Sequence, residues 1–131
     1  MTTIVVGWTP DEFGEAALRR GLEEATLRQG RVVVVNATRG DALVDERYAD
    51  DEQLAALAVE LGGADVDVDV RRSMGADVGD QVLAVAADVA ADLVVIGLRR
   101  RTPVGKLLMG SVAQRILLGS ECAVLAVKPA G

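Results

Sequence analysis

Between residues 98 and 115 the chain carries Arg99, Arg100, Arg101, Lys106 and Arg115 and not one acid, although its formal net charge is −6. These cations sit on or beside the stretch Gly97-Leu-Arg-Arg-Arg-Thr-Pro-Val-Gly-Lys-Leu-Leu-Met-Gly-Ser111, a glycine-punctuated loop between an apolar run and a helical pattern. Free backbone N–H groups and the positive end of a helix dipole converge at such a junction, so the chemistry it supports is binding of a phosphate-bearing ligand. A solvated connection that happens to be basic is the alternative. Other reactive groups are fewer. Asp11 and Glu12 are candidate carboxylates, but the first turn of a helix favours acids in any case. Asp65, Asp67 and Asp69 alternate along an extended segment, which sets them on one exposed face with no loop to wrap an ion. Cys122 is the only cysteine and there is no histidine, which excludes an intramolecular disulfide and any Cys/His zinc site.

The elements that must position the loop follow from hydrophobic patterning. Asp92-Leu-Val-Val-Ile-Gly97 is apolar throughout and ends in glycine, as a strand buried on both faces does. Ser111-Val-Ala-Gln-Arg-Ile-Leu-Leu118 repeats at helical spacing, with Gly110-Ser111 at the capping position. Upstream, residues 3–8 form a short β-branched strand. Pro10, Asp11 and Glu12 open a helix over 11–29, with Ala16, Ala17, Leu18, Leu22, Ala25 and Leu27 as its apolar set and Gly30 as a left-handed end. Residues 31–37 form a second strand, ending in Asn36-Ala37. A helix over 44–61 follows, then an alternating edge strand over 65–70, a turn at Gly75, a helix over 77–90, the strand at 92–97, the helix at 111–119 and a last apolar strand at 123–127. The order β-α-β-α-β-α-β-α-β with short connections predicts an α/β fold with a doubly wound parallel sheet. No linker or repeat interrupts it, so residues 1–131 are expected to form one domain.

Composition agrees. At 131 residues the chain buries roughly two thirds of its unfolded surface without metals or disulfides. Half of it is hydrophobic, yet Trp8, Phe13 and Tyr48 are the only aromatics, which suits aliphatic strands between Ala-rich helices. The acidic balance argues against nucleic-acid binding. No secretory leader or run of about 20 apolar residues is present, and a cytoplasmic location is expected.

Two nucleotide motifs fail. The first strand is followed by Gly7-Trp-Thr-Pro-Asp-Glu, not G-x-G-x-x-G, and Gly105-Lys106 is followed by Leu107, not Ser or Thr. A receiver-type acidic pocket is also missing, since Thr9 and Arg71-Arg72-Ser73 stand where its acids belong. By contrast Ala91-Asp-Leu-Val-Val-Ile-Gly97, Gly110-Ser111-Val112-Ala-Gln-Arg-Ile-Leu-Leu and Cys122-Ala-Val-Leu-Ala-Val-Lys-Pro129 resemble the C-terminal half of universal stress proteins. Nucleotide-binding members of that family carry Gly-x2-Gly-x9-Gly-[Ser/Thr]. Laid on this chain, the motif falls on Gly97, Arg100, Gly110 and Ser111.

The resemblance implies a five-stranded flavodoxin-like parallel sheet of order 3-2-1-4-5 flanked by four helices. It implies ATP or a related adenine nucleotide, with or without magnesium, lying across the ends of the first and fourth strands. The site residues would be Thr9, Ala37, Gly97, Arg100, Gly110, Ser111 and Val112, with Thr9 standing where many ATP-binding relatives have aspartate. Arg100, in place of glycine, either ion-pairs with the phosphates or fills their site. The second case would make the protein a nucleotide-independent interaction module. A regulatory role is expected, not an enzymatic one, because no general base stands beside the phosphates. A homodimer through residues 122–128 is expected as well: Cys122 to Lys128 is an apolar edge, and the family commonly pairs that way.

Overall fold

The computed structural model describes residues 1–38, 51–61, 65–75, 77–98 and 110–129. Nine elements alternate: β1 (Thr3–Gly7), α1 (Glu12–Arg28), β2 (Arg31–Thr38), α2 (Asp51–Leu61), β3 (Asp67–Met74), α3 (Val78–Asp88), β4 (Leu93–Gly97), α4 (Ser111–Gly119) and β5 (Ala123–Val127). The strands form one parallel sheet in the order β3-β2-β1-β4-β5, as expected. Because β1 and β4 are neighbours while the chain runs outward from β1 in both directions, the connections at their C-terminal ends diverge and leave a crevice.

Alternation along the buried strands divides the interior in two. Ile4, Val6 and Trp8 join Val32 and Val34 beneath α1 and α2, whose Ala17, Leu18, Ala25, Leu57 and Leu61 complete that core. Val5, Val33, Val35, Val94 and Ile96 face the other way, under Val82 and Ala86 of α3 and Ile116 of α4. Trp8 is 5% exposed, and its Nε1 has no hydrogen-bond partner among the described residues, a burial that costs about 1–3 kcal/mol. At the other end of the sheet the Thr3 N–H donates to Asp92 Oδ2 (2.9 Å) and the Asp92 N–H returns to the Thr3 carbonyl (2.8 Å), tying β1 to the start of β4.

Several expectations change in detail. The left-handed residue ending α1 is Gln29 (φ 54°, ψ 43°), not Gly30. Gly30 is needed for closeness instead, since a Cβ there would stand 2.5 Å from the Thr2 carbonyl oxygen. Leu27, assigned to the apolar face, is 77% exposed. The third strand continues four residues beyond Val70. Alternation ends at Arg71, but β2 pairs on through Val35↔Arg71, Asn36↔Arg72, Ala37↔Ser73 and Thr38↔Met74, and an edge strand tolerates such polar residues. Asp65, Asp67 and Asp69 are exposed as expected, and among the described residues no cluster of three ligating groups could hold a metal. Asp69 instead accepts from Arg71 Nε at 2.8 Å, and Arg71 also reaches Asp88 at 3.5 Å; both acids raise the Arg71 pKa. The start expected for the second helix, residues 44–50, lies outside the described residues.

Candidate functional site

The crevice is a cavity of about 900 Å³, within the roughly 300–1,000 Å³ range of small-molecule sites. Its apolar side is the second core laid open: Val35 and Ala37 from β2, Ile96 from β4, Val82 from α3, and Ala113 and Ile116 from α4. The β1–α1 connection supplies Trp8, Thr9, Pro10 and Asp11, and the first turn of α1 supplies Phe13. Across from the strands lie Gly110, Ser111 and Val112 at the start of α4. Thus Thr9, Ala37, Gly97, Gly110, Ser111 and Val112 line one cavity, whereas Arg100 lies outside the described residues.

The β1–α1 connection is held from several directions. The Trp8 N–H donates to the Val35 carbonyl (2.9 Å), and Asn36 Nδ2 donates to the Trp8 carbonyl (3.0 Å). Asn36 therefore serves the backbone at the strand ends and, wholly interior at 0% exposure, does not line the cavity, whereas its neighbour Ala37 does. Around Pro10 the Asp11 N–H returns to the Thr9 carbonyl at 2.8 Å. Asp11 is the N-cap of α1. Its Oδ1 accepts from the Phe13 and Gly14 N–H groups (3.1 and 3.0 Å) and from the Thr9 hydroxyl (2.6 Å). Asp11, expected among the acids favoured in the first turn of the helix, stands one residue before that turn, as its cap.

The two motif glycines do different things. At Gly97 a Cβ would lie 2.4 Å from the Phe13 carbonyl oxygen, so this glycine lets the first turn of α1 close on β4. At Gly110 nothing stands within 4 Å of the Cβ position. Gly110 is the N-cap of α4 and has no side chain with which to cap it, no capping side chain is found among the described residues, and the first turn of α4 has no acid. Both α1 and α3 are capped by aspartate: Asp11, and Asp77, whose Oδ1 accepts from the Asp80 N–H at 2.9 Å. On α4, Ile116 is the buried residue that pins the helix, and Arg115 Nε pairs with Asp80 Oδ1 of α3 at 2.6 Å. The hydrogen bond to Asp80 and its negative charge raise the Arg115 pKa.

Cys122 is half-buried beside the second core, and its Sγ lies 3.4 Å from Ser120 Oγ. It does not line the cavity. No helix among the described residues is long and apolar enough to cross a membrane.

Comparison with known proteins fits this geometry. A universal stress protein of Mycolicibacterium smegmatis is 46% identical over 128 residues, covering 98% of each chain. The universal stress protein of Archaeoglobus fulgidus superposes with a TM-score of 0.80 at 28% identity, covering 98% of this chain and 99% of that one. A structure of the A. fulgidus universal stress protein in complex with dAMP gives a TM-score of 0.72 at 25% identity, with 98% of each chain covered. The model of the universal stress protein family matches residues 1–128, and with the close relative this shows that the chain belongs to the universal stress protein family.

Proposed function

We propose that this chain binds an adenine nucleotide, ATP or a relative of it, in the cavity beside β1 and β4, and acts in the cytoplasm as a regulatory protein without catalysis. The observation that carries the reading is the start of α4, whose N-cap is a glycine. Of the three helix starts whose caps are described, it alone lacks a capping carboxylate, and it opens onto an apolar-walled cavity. The N–H groups of that first turn and the helix dipole attract phosphate there, while Val35, Ala37, Val82 and Ile96 offer a base an apolar bed. The dAMP complex of the A. fulgidus relative supports the ligand class.

Calorimetric titration with AMP and with ATP and magnesium tests this, with the emission of Trp8, the single tryptophan, as a second signal. Ser111→Glu should weaken binding about tenfold or more, because it places a carboxylate at the proposed phosphate position, while leaving the fold intact at an exposed residue. Absence of heat and of fluorescence change at millimolar nucleotide would remove the reading. If Arg100 instead fills the phosphate site, Arg100→Gly should create binding that the wild type lacks.

Pairing of two copies through β5 belongs to the same proposal. β5 is a terminal strand of the sheet, all five of its residues are apolar, and none is fully buried. Light scattering at micromolar concentration is expected to give twice the chain mass; a monomer contradicts it.

A further inference from the structure

Among the described residues lining the cavity, Asp11 is the one ionisable side chain. Its carboxylate cannot swing away. Oδ1 is held by the Thr9 hydroxyl at 2.6 Å and by two backbone N–H groups of α1, and its own N–H is folded back on the Thr9 carbonyl around Pro10. Two consequences follow. The start of α1, which would otherwise be a second attractive end for an anion, is already neutralised by its own cap. And the cavity is polar in the electrical sense, with a helix start whose N-cap is a glycine on one wall and a fixed negative charge on another.

We propose that Asp11 is a charge filter and thus a specificity-determining residue: it weakens binding in proportion to the negative charge a ligand brings, tilting the site from triphosphates toward monophosphates. The proposal rests on the nucleotide reading given above. Each added phosphate meets the same immobile carboxylate. For charges ~8–10 Å apart in a water-like dielectric, the extra charge of a triphosphate over a monophosphate amounts to about three- to fivefold in affinity.

The test compares AMP and ATP binding, by calorimetry, in the wild type and in Asp11→Asn. Asparagine caps helices as well as aspartate does and retains an oxygen for all three donors, so only the charge is removed; Asp11→Ser is a second uncharged cap. The ratio of ATP to AMP affinity should rise about three- to fivefold in both variants, and the gain should shrink at about 1 M salt, where screening is strong. A ratio that stays unchanged, whether both affinities rise, fall or stand still, overturns the filter and leaves nucleotide binding in place. Loss of AMP binding in Asp11→Asn would make the carboxylate a ligand acceptor and likewise overturn it. Silence of the wild type and both variants toward both nucleotides overturns the nucleotide reading, and the filter with it.

Discussion

Gly14→Ala is expected to destabilise the protein by about 3 kcal/mol and to lower its thermal midpoint by roughly 10 °C. Gly14 lies in the first turn of α1, and a Cβ there would stand 1.8 Å from the Thr9 carbonyl oxygen and 2.5 Å from its nitrogen. Neither side can yield cheaply. Thr9 is fixed by the hydrogen bonds of Trp8 to β2 and by its own bonds to Asp11, and α1 is fixed by Ala17, Leu18 and Ala25 in the core. The strain therefore falls on the wall of the cavity, so any affinity for a ligand should fall along with stability. Gly110→Ala is the matched control: its added methyl meets nothing, and its thermal midpoint should fall by no more than about 4 °C, the cost of alanine at an N-cap. Differential scanning calorimetry of the two variants decides the matter, and equal midpoints would mean that the close approach at Thr9 is not structural.

The second large effect is expected at Ile116. Truncation to alanine should cost about 3–4 kcal/mol, the transfer term plus the cavity it leaves. Ile116 is 1% exposed and is the buried residue of α4, in the core cluster that also holds Val82, Ala86, Val94 and Ile96. Leu118, two residues on and 86% exposed, should tolerate alanine within about 0.5 kcal/mol. Urea denaturation of the pair measures the difference. Because Gly110, Ser111 and Val112 are placed by the helix that Ile116 pins, nucleotide affinity should fall with Ile116→Ala and not with Leu118→Ala.

Legibility in the sequence varied with what each pattern depends on. Buried parallel strands announce themselves as unbroken aliphatic runs, so β1, β4 and β5 fall within a residue of their expected limits, and the helix at 111–119 has the expected bounds. Pattern fails where pairing, not burial, decides. The extension of β3 through Arg71, Arg72 and Ser73 is dictated by its partner β2, and no single-strand periodicity contains that information. Close approach is equally invisible. That a Cβ on Gly97 would meet the Phe13 carbonyl is not legible in a glycine motif, and Gln29 takes the left-handed position that Gly30 promised. The task of Asn36 is hidden in the same way: a polar residue at a strand end does not reveal that the Trp8 carbonyl needs a donor.

The sheet also has a consequence as a partition. The layer beneath α1 and α2 reaches the cavity through Trp8, whereas the layer beneath α3 and α4 contributes Val35, Ala37, Val82, Ile96 and Ile116 to its wall. A bound molecule would thus add contacts chiefly to one of two interiors. Amide hydrogen exchange should slow on α3, α4 and the first turn of α1, while the rest of α1 and α2 keep their unliganded rates. One side of the molecule would then carry its endurance and the other its responsiveness, so that substitutions able to harden the first need not deafen the second.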